Sequence, residues 1–253
     1  MTAIAVGAVP GAPGATTTVL ALAAVWSADR PLLVVEADPD GGVLAARRGL
    51  HPQPGLVDAV ASLLRGRCDI DQHTQPLGDT VRILVAPTGA EQACATLAAV
   101  DQERWMVLAR GGAAPDDRDV IVDCGRLRAN SAAIDAARCA DVTLLAARPR
   151  LDQVALLQAR VPALRHARVD PQVVLIDDGP YAAEDVAAAA GARIAGVLPG
   201  DRRTAAALNG EAARQRLGRS RLLRSARRMV ADVLGAGPPS DPTIGSDRQV
   251  SVP

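Results

Sequence analysis

Short apolar runs alternate with longer helical patterns along the whole chain, and this alternation limits the fold more than any other feature. The predicted strands are Ala3–Ala8, Leu32–Glu36, Val81–Ala86, Asp119–Asp123, Val142–Ala147, Gln172–Ile176 and Arg193–Leu198. The predicted helices are Thr16–Ser27, Leu56–Arg65, Ala90–Ala109, Ser131–Arg138, Leu151–His166, Ala183–Ala189, Thr204–Asn209 and Ser220–Leu234. Because this alternation is typical of βα units, it predicts a three-layer α/β fold, with helices on both faces of a mostly parallel sheet of about seven strands.

The length of the chain favours one large domain. No linker interrupts the pattern before Gly235, so residues 1–235 are predicted to form a single α/β domain. Residues 236–253 are rich in Pro, Gly and Ser and contain too little apolar material to offset the entropy of ordering, which predicts a disordered tail. The composition is 49% hydrophobic but only 1% aromatic, so the core must consist of Ala, Val, Leu and Ile.

Charge and cysteine content exclude several classes of function. The formal net charge is +0, so the molecule as a whole has no field that attracts nucleic acid. The four cysteines are far apart and are expected to be buried, reduced thiols, and the three histidines show no metal-ligand spacing. No secretion signal or apolar run of about 20 residues is present, so we expect a cytoplasmic protein.

The segment after the first predicted strand has the features of a phosphate-binding loop. Gly11 and Gly14 would allow backbone N–H groups to turn toward an anion, and Thr16 or Thr17 would begin the following helix. A threonine hydroxyl at that position is also a ligand suited to Mg²⁺. A purely structural strand-to-helix turn with a threonine cap explains the same residues.

Carboxylates follow two other predicted strands. Glu36 and Asp38 lie at the carboxyl end of the second strand, and Asp123 lies at the end of the fourth. Each alone is readily explained as a solvated loop acid. Because ligands gather at the carboxyl edge of an open α/β sheet, the three acids together with the glycine loop favour a binding site.

With these segments in place, the sequence resembles the ParA/MinD family, P-loop proteins of the SIMIBI class with a deviant Walker A motif. Glu36–Pro39 is similar to the D-x-D-P switch segment of the family, and Val120–Asp123 is similar to its Walker B strand. Val85–Gly89 and Gly196–Asp201 resemble its P-x-G turn and its late G-x-x-P-x-D segment. Among branches, Asp177–Tyr181 most resembles the CpaE/TadZ type.

The resemblance implies a set of roles for individual residues. ATP and Mg²⁺ would be the ligands, with Asp38 near the attacking water. The positions that would bind nucleotide are Gly11, Gly14, Ala15, Thr16, Thr17, Pro199 and Asp201. Thr16, Asp38 and Asp123 would hold Mg²⁺. The family also implies a homodimer, and protein partners in a pilus, secretion, septum or chromosome positioning system.

The loop departs from the family pattern at its charged positions. In the motif K-G-G-x-G-K-T-T, the two lysines fall on Pro10 and Ala15, and no lysine occurs anywhere in the chain. Loss of two charge-assisted hydrogen bonds weakens binding by roughly 10²–10⁴-fold. We therefore expect a noncatalytic or weakly nucleotide-binding scaffold. The alternative is an active ATP-dependent dimerisation switch, in which Arg126, Arg148 or Arg202 reaches the phosphates.

The last predicted helix has a basic face. Arg221, Arg224, Arg227 and Arg228 would point outward while apolar residues at helical spacing pack on the domain. A solvated face explains this pattern. Nonspecific contact with DNA phosphates is the alternative, and membrane insertion is disfavoured because the helix has no aromatic anchor.

Overall fold

The computed structural model describes residues 1–11, 14–27, 30–67, 69–110, 118–211, 217 and 220–235. Within this part of the chain, eight strands form one sheet in the order β3-β4-β2-β5-β1-β6-β7-β8. The strands are β1 Ala3–Ala8, β2 Leu32–Glu36, β3 Gln75–Pro76, β4 Val81–Leu84, β5 Asp119–Arg126, β6 Val142–Ala147, β7 Pro171–Ile176 and β8 Ile194–Leu198. All neighbouring strands are parallel except β3 and β4. The predicted mostly parallel sheet is confirmed. The additional strand, β3, has only two residues and therefore has no periodic pattern to detect.

Helices cover both faces of the sheet. They are α1 Ala15–Ala23, α2 Leu44–Arg48, α3 Leu56–Leu64, α4 Ala90–Ala98, α5 Gln102–Ala109, α6 Ile134–Cys139, α7 Leu151–His166, α8 Ala183–Ala190, α9 Arg202–Leu208 and α10 Arg221–Val233. A 3₁₀ helix spans Ile70–His73. None of the helices in the described residues combines the length and apolar composition needed to traverse a bilayer. The predicted tail, 236–253, lies outside the described residues.

The prediction of one continuous helix over 90–109 is wrong. The chain instead forms α4 and α5, separated at Asp101. The Asp101 carboxylate accepts a hydrogen bond of 2.9 Å from the Arg104 backbone N–H, which makes Asp101 the N-cap of a new helix. The prediction of buried cysteines is also wrong for Cys94, which is exposed on α4. Cys68 lies outside the described residues.

Alternating side chains of the central strands create a core on each face of the sheet. Val120 and Val122 of β5 belong to the core cluster on one face, which also contains residues of α3 to α8. Ile121, between them, belongs to the cluster on the opposite face, with residues of α1, α9 and α10. Successive side chains of a strand point to opposite faces, so a continuous apolar run supplies both cores. This explains why strands without polar alternation lie in the centre of the sheet.

Strand register brings the predicted acids to one edge. Asp123 of β5 is paired with Val6 of β1 on one side and with Glu36 of β2 on the other. The chain leaves β1 two residues after Val6 and enters the loop that leads to α1. The glycine loop and the two carboxylates therefore lie together at the carboxyl ends of neighbouring strands, as the sequence predicts.

Candidate nucleotide-binding site

The loop between β1 and α1 is anchored at both ends. The Val9 backbone N–H donates to Ala146 O of β6 at 3.1 Å, and Thr18 N–H donates to Gly14 O at 2.7 Å. Gly11 and Gly14 have φ angles of 75° and 150°, which L side chains rarely adopt. Ala12 and Pro13 lie outside the described residues. The backbone N–H groups in the first turn of a helix have no partner within the helix. The N-terminus of α1, at Ala15 and Thr16, therefore presents hydrogen-bond donors next to the predicted phosphate-binding loop.

Asp123 is a deeply buried carboxylate at the centre of the site. It is 1% exposed, and its Oδ1 accepts a hydrogen bond of 3.1 Å from Gly125 N–H. Its Oδ2 is buried without a hydrogen-bond partner among the described residues. Burial raises the pKa of Asp123 to about 7, against the opposing effect of the Thr16 hydroxyl. The negative charges of Glu36 and Asp38 raise this pKa further. Thr16, Asp38 and Asp123, predicted to share a magnesium ion, are therefore brought together.

Asp38 occupies space that exists because residue 125 is glycine. A Cβ on Gly125 would overlap the Asp38 carboxyl group, and Gly125 also has a left-handed φ of 54°. Burial raises the pKa of Asp38, and the Asp40 backbone N–H, which donates to Oδ1 at 2.9 Å, opposes this shift. The positive charge of Arg126 lowers the pKa of Asp38, and Arg126 forms an ion pair of 3.5 Å with Asp40. Arg126 is thus already partnered by an acid.

Glu36 has a structural role that sequence reasoning did not find. Its Oε1 accepts from the backbone N–H groups of Val43 at 2.7 Å and Leu44 at 2.9 Å, and its Oε2 accepts from Ala86 N–H at 3.0 Å. Burial raises its pKa although these three hydrogen bonds oppose the shift. Glu36 therefore fastens the beginning of α2 to the end of β4. No sequence pattern indicated α2, which has five residues and is held by this long-range contact.

The residues of the site suit a magnesium ion that is bound by the protein and by a phosphate group together. Within the described residues, no cluster of three or more His, Cys, Asp or Glu forms a protein-only metal site. Mg²⁺ is usually bound by one or two carboxylates together with water and phosphate oxygens. The unpartnered Oδ2 of Asp123 and the Thr16 hydroxyl are hard oxygen donors of this kind.

A cavity of about 220 Å³ opens beside the N-terminus of α1. Its walls are formed by three parts of the fold: the start of α1, the ends of β6 and β7, and the turn from β8 into α9 together with α10. The lining residues are Gly14, Thr17, Thr18, Arg148, Ile176, Asp177, Leu198, Pro199, Gly200, Asp201, Arg202, Ala205 and Leu222. Pro199 and Asp201, also predicted to bind nucleotide, thus share one cavity with the loop residues Gly14 and Thr17.

Asp201 also holds this part of the fold together. Its carboxylate accepts hydrogen bonds from Thr204 N–H at 3.0 Å, Thr204 Oγ1 at 2.6 Å and Ser220 Oγ at 3.0 Å. Burial acts to raise its pKa, but these hydrogen bonds outweigh it and the pKa is lowered. Asp201 is therefore an ionised N-cap of α9 that also contacts the start of α10.

Thr17 is connected to α2 by hydrogen bonds of two residues, Arg47 and Asn209, that sequence spacing could not reveal. Asn209 Nδ2 donates to Thr17 Oγ1 at 3.1 Å, and Arg47 Nη1 donates to Asn209 Oδ1 at 2.8 Å. Arg47 lies on α2 and Asn209 directly follows α9. These contacts join positions 192 and 162 residues apart, so only the tertiary structure identifies them.

The basic face of α10 points away from the domain. Arg221, Arg224, Arg227 and Arg228 are exposed. The opposite face is buried through Leu222, Leu223, Ala226, Met229 and Val230. The apolar face of α10 is therefore already used in the core.

Comparison with known proteins identifies the fold. No model of a protein family matches the sequence, and no curated protein matches it significantly. Among solved structures, it is similar to the cell division ATPase MinD of Pyrococcus furiosus, with 19% identity, 92% of this chain and 98% of that chain covered, and a TM-score of 0.70. A ParA family ATPase from Chlorobium tepidum gives 17% identity, coverage of 92% and 97%, and a TM-score of 0.69. MinD of Pyrococcus horikoshii complexed with Mg-ADP gives 16% identity, coverage of 91% and 96%, and a TM-score of 0.66.

The sheet order, the loop at the N-terminus of α1 and the neighbouring acids define a P-loop type α/β protein. Within that class, the chain has the fold of the MinD and ParA ATPases over nearly its whole length. The identities of 16% to 19% establish the fold and leave the activity to be argued from the site.

Proposed function

We propose that this protein is a ParA/MinD-like protein that binds nucleotide weakly, does not hydrolyse it at an appreciable rate, and acts as a positioning or assembly scaffold. One observation carries the proposal. The buried Asp123 keeps an unpartnered oxygen beside the Thr16 hydroxyl, while the loop that would supply compensating cations contains none. The acidic half of a magnesium-nucleotide site is kept and the cationic half is missing.

The missing cations affect hydrolysis more than binding. Phosphoryl transfer depends on cationic stabilisation of the charge that develops on the transferred group, and one such group contributes about 10³–10⁵ in rate. Backbone N–H groups at the start of α1 remain able to bind an anion. Weak binding without efficient turnover is therefore the expected outcome.

A scaffold of this kind acts through surfaces that bind other proteins. The fold is shared with a cell division ATPase and a ParA family ATPase, which supports a role in a positioning system such as septum, chromosome, pilus or secretion machinery. A CpaE/TadZ-like role and a homodimer belong to the same proposal, through the resemblance of Asp177–Tyr181.

Calorimetric titration with Mg-ATP and Mg-ADP, combined with a phosphate-release assay, tests this proposal. We expect weak binding and phosphate release no faster than in buffer alone. The site variant is Asp123→Asn, which should lower affinity in the presence of Mg²⁺. The control is Asp135→Asn, a carboxylate on α6 that pairs with Arg138 at 2.7 Å. Phosphate release well above the buffer rate that Asp123→Asn abolishes would show that the protein is an ATPase.

An ATP-dependent dimerisation switch is the second candidate, and one observation favours it. Arg148 lines the cavity and its Nε is buried without a partner among the described residues, which supports an arginine in the role of the absent lysine. Sedimentation with and without ATP separates the two functions. A scaffold gives the same oligomeric state in both conditions, whereas a switch becomes dimeric only with ATP.

Nonspecific DNA binding is an accessory function that the exposed arginines of α10 favour. Arg224→Ala together with Arg227→Ala should abolish a salt-dependent gel shift. The control is Arg165→Ala, which removes an arginine paired with Asp170 at 2.7 Å. An unchanged gel shift in the α10 variant would locate the DNA contact elsewhere. Membrane insertion is disfavoured because the apolar face of α10 is buried.

A further inference from the structure

Two polar atoms that lack partners belong to residues of the same cavity. Thr18 Oγ1 and Arg148 Nε are both buried and make no hydrogen bond among the described residues. Both residues line the cavity beside the N-terminus of α1. Buried donors are nearly always paired in folded proteins, so two residues of one cavity with unused donor capacity are suited to a ligand that carries acceptor atoms.

Arg148 is held next to the predicted phosphate loop. It follows β6 directly, and Ala146 of β6 accepts the hydrogen bond from the loop residue Val9. The backbone N–H of Arg148 donates to Oε1 of the buried Gln153 at 2.6 Å. A Cβ on Gly11 would lie 3.8 Å from Nε2 of the same glutamine. Gln153 thus fixes the backbone of Arg148 beside the loop.

The two other arginines near the site are less suited to a phosphate. Arg126 is exposed and forms an ion pair with Asp40 at 3.5 Å. Arg202 is exposed at the first position of α9, close to the Asp201 carboxylate. Arg148 combines partial burial, an unpaired Nε and a position between the loop and the cavity.

We propose that the Arg148 guanidinium binds the phosphate groups of the nucleotide and supplies the positive charge that the loop lacks. This inference rests on the proposed nucleotide binding and names the residue responsible for it. Guanidinium is always charged, and its planar array of donors matches the oxygens of a phosphate. The Thr18 hydroxyl provides a neighbouring donor from α1.

Affinity measurements with two fragments of the nucleotide distinguish a contact of Arg148 with phosphate from a contact with the base. Adenosine contains the base and ribose, inorganic pyrophosphate contains only phosphate, and ADP contains both. Arg148→Ala should weaken ADP and pyrophosphate by about 10- to 100-fold, the effect of one charge-assisted hydrogen bond or pair. Adenosine binding should change by less than about twofold. Arg150→Ala, two residues along the chain and exposed, is the matched control and should change none of the three.

Each outcome decides the proposal. Arg148→Lys keeps the charge and should lose less affinity for ADP than Arg148→Ala, which also covers the case that the alanine variant fails to fold. Equal weakening of adenosine and ADP would mean that Arg148 contacts the base or ribose, and the proposal would be wrong. Unchanged ADP binding in folded Arg148→Ala would also overturn it, while leaving the proposed function intact. If the unmodified protein binds neither ADP nor ATP, the nucleotide-binding part of the proposed function fails first.

Discussion

The buried carboxylate of Asp123 makes a definite prediction about stability and pH. Burial raises the pKa of Asp123 from its usual 3.8 to about 7 in the folded protein. A carboxyl group with a raised pKa binds its proton more tightly in the folded state than in the unfolded state. Its ionisation therefore destabilises the fold as pH rises above the unfolded value, and the effect is complete once pH exceeds the folded value.

The magnitude follows from the difference between the two pKa values. A difference of about three pH units corresponds to about 4 kcal/mol at high pH. Part of this loss is already present at pH 5, so the change between about pH 5 and pH 8 is about 2 to 3 kcal/mol. Asp123→Asn is nearly isosteric and keeps the oxygen that accepts from Gly125, but it cannot ionise.

Urea denaturation with EDTA present, at about pH 5 and pH 8, measures this effect. The free energy of unfolding of the unmodified protein should fall by about 2 to 3 kcal/mol relative to that of Asp123→Asn over this interval. The comparison between variants cancels the titration of acids that both chains share. Parallel pH dependence in the two proteins would refute the reasoning, because it would show that Asp123 is ionised at little cost inside the fold.

Two further substitutions test contacts around the site. Gly125→Ala should destabilise the fold by about 2 to 3 kcal/mol in urea denaturation, because it adds a clash with Asp38 to the left-handed strain of about 1 to 2 kcal/mol. The control is Gly66→Ala, because Gly66 has a φ of 71° and no atom lies within 4 Å of the added Cβ. This variant should show the cost of backbone strain alone. Equal losses of stability in the two variants would show that the contact with Asp38 contributes nothing. Ser220→Ala should lower stability by about 1 to 2 kcal/mol because Ser220 caps α10, whereas Arg221→Ala, at an exposed position, should change it by less than about 0.5 kcal/mol. Equal effects of these last two variants would contradict the capping role.

The parts of the fold that the sequence predicted are those specified by local pattern. β1, β2, β6 and α7 have the predicted bounds because a buried parallel strand or a long helix needs only a continuous run of suitable residues. The sequence also indicated the acids of the site, since carboxylates after parallel strands meet at one edge. The boundary at Asp101 was missed because its capping hydrogen bond requires a geometry that the residue type alone does not define.

The contacts that organise the site could not be predicted, because they join distant segments. Glu36 reads as a loop acid in the sequence, but both of its oxygens are occupied by backbone N–H groups up to 50 residues away. Asn209 belongs to no motif and nevertheless links α1 to α2. Such roles depend on which segments the sheet brings together, and that information is spread over the whole chain.

These long-range contacts explain how the site keeps its shape although the chain contains no lysine. Glu36 fastens the start of α2 to β4, while Arg47 fastens α2, through Asn209, to Thr17 at the start of α1. None of these bonds involves a ligand or a cation in the phosphate loop. The protein itself therefore holds α2 against the N-terminus of α1, and this support does not depend on a cation at Pro10 or Ala15. A preassembled site loses little free energy to reorganisation on binding, and this low cost favours the contact that we propose between Arg148 and phosphate.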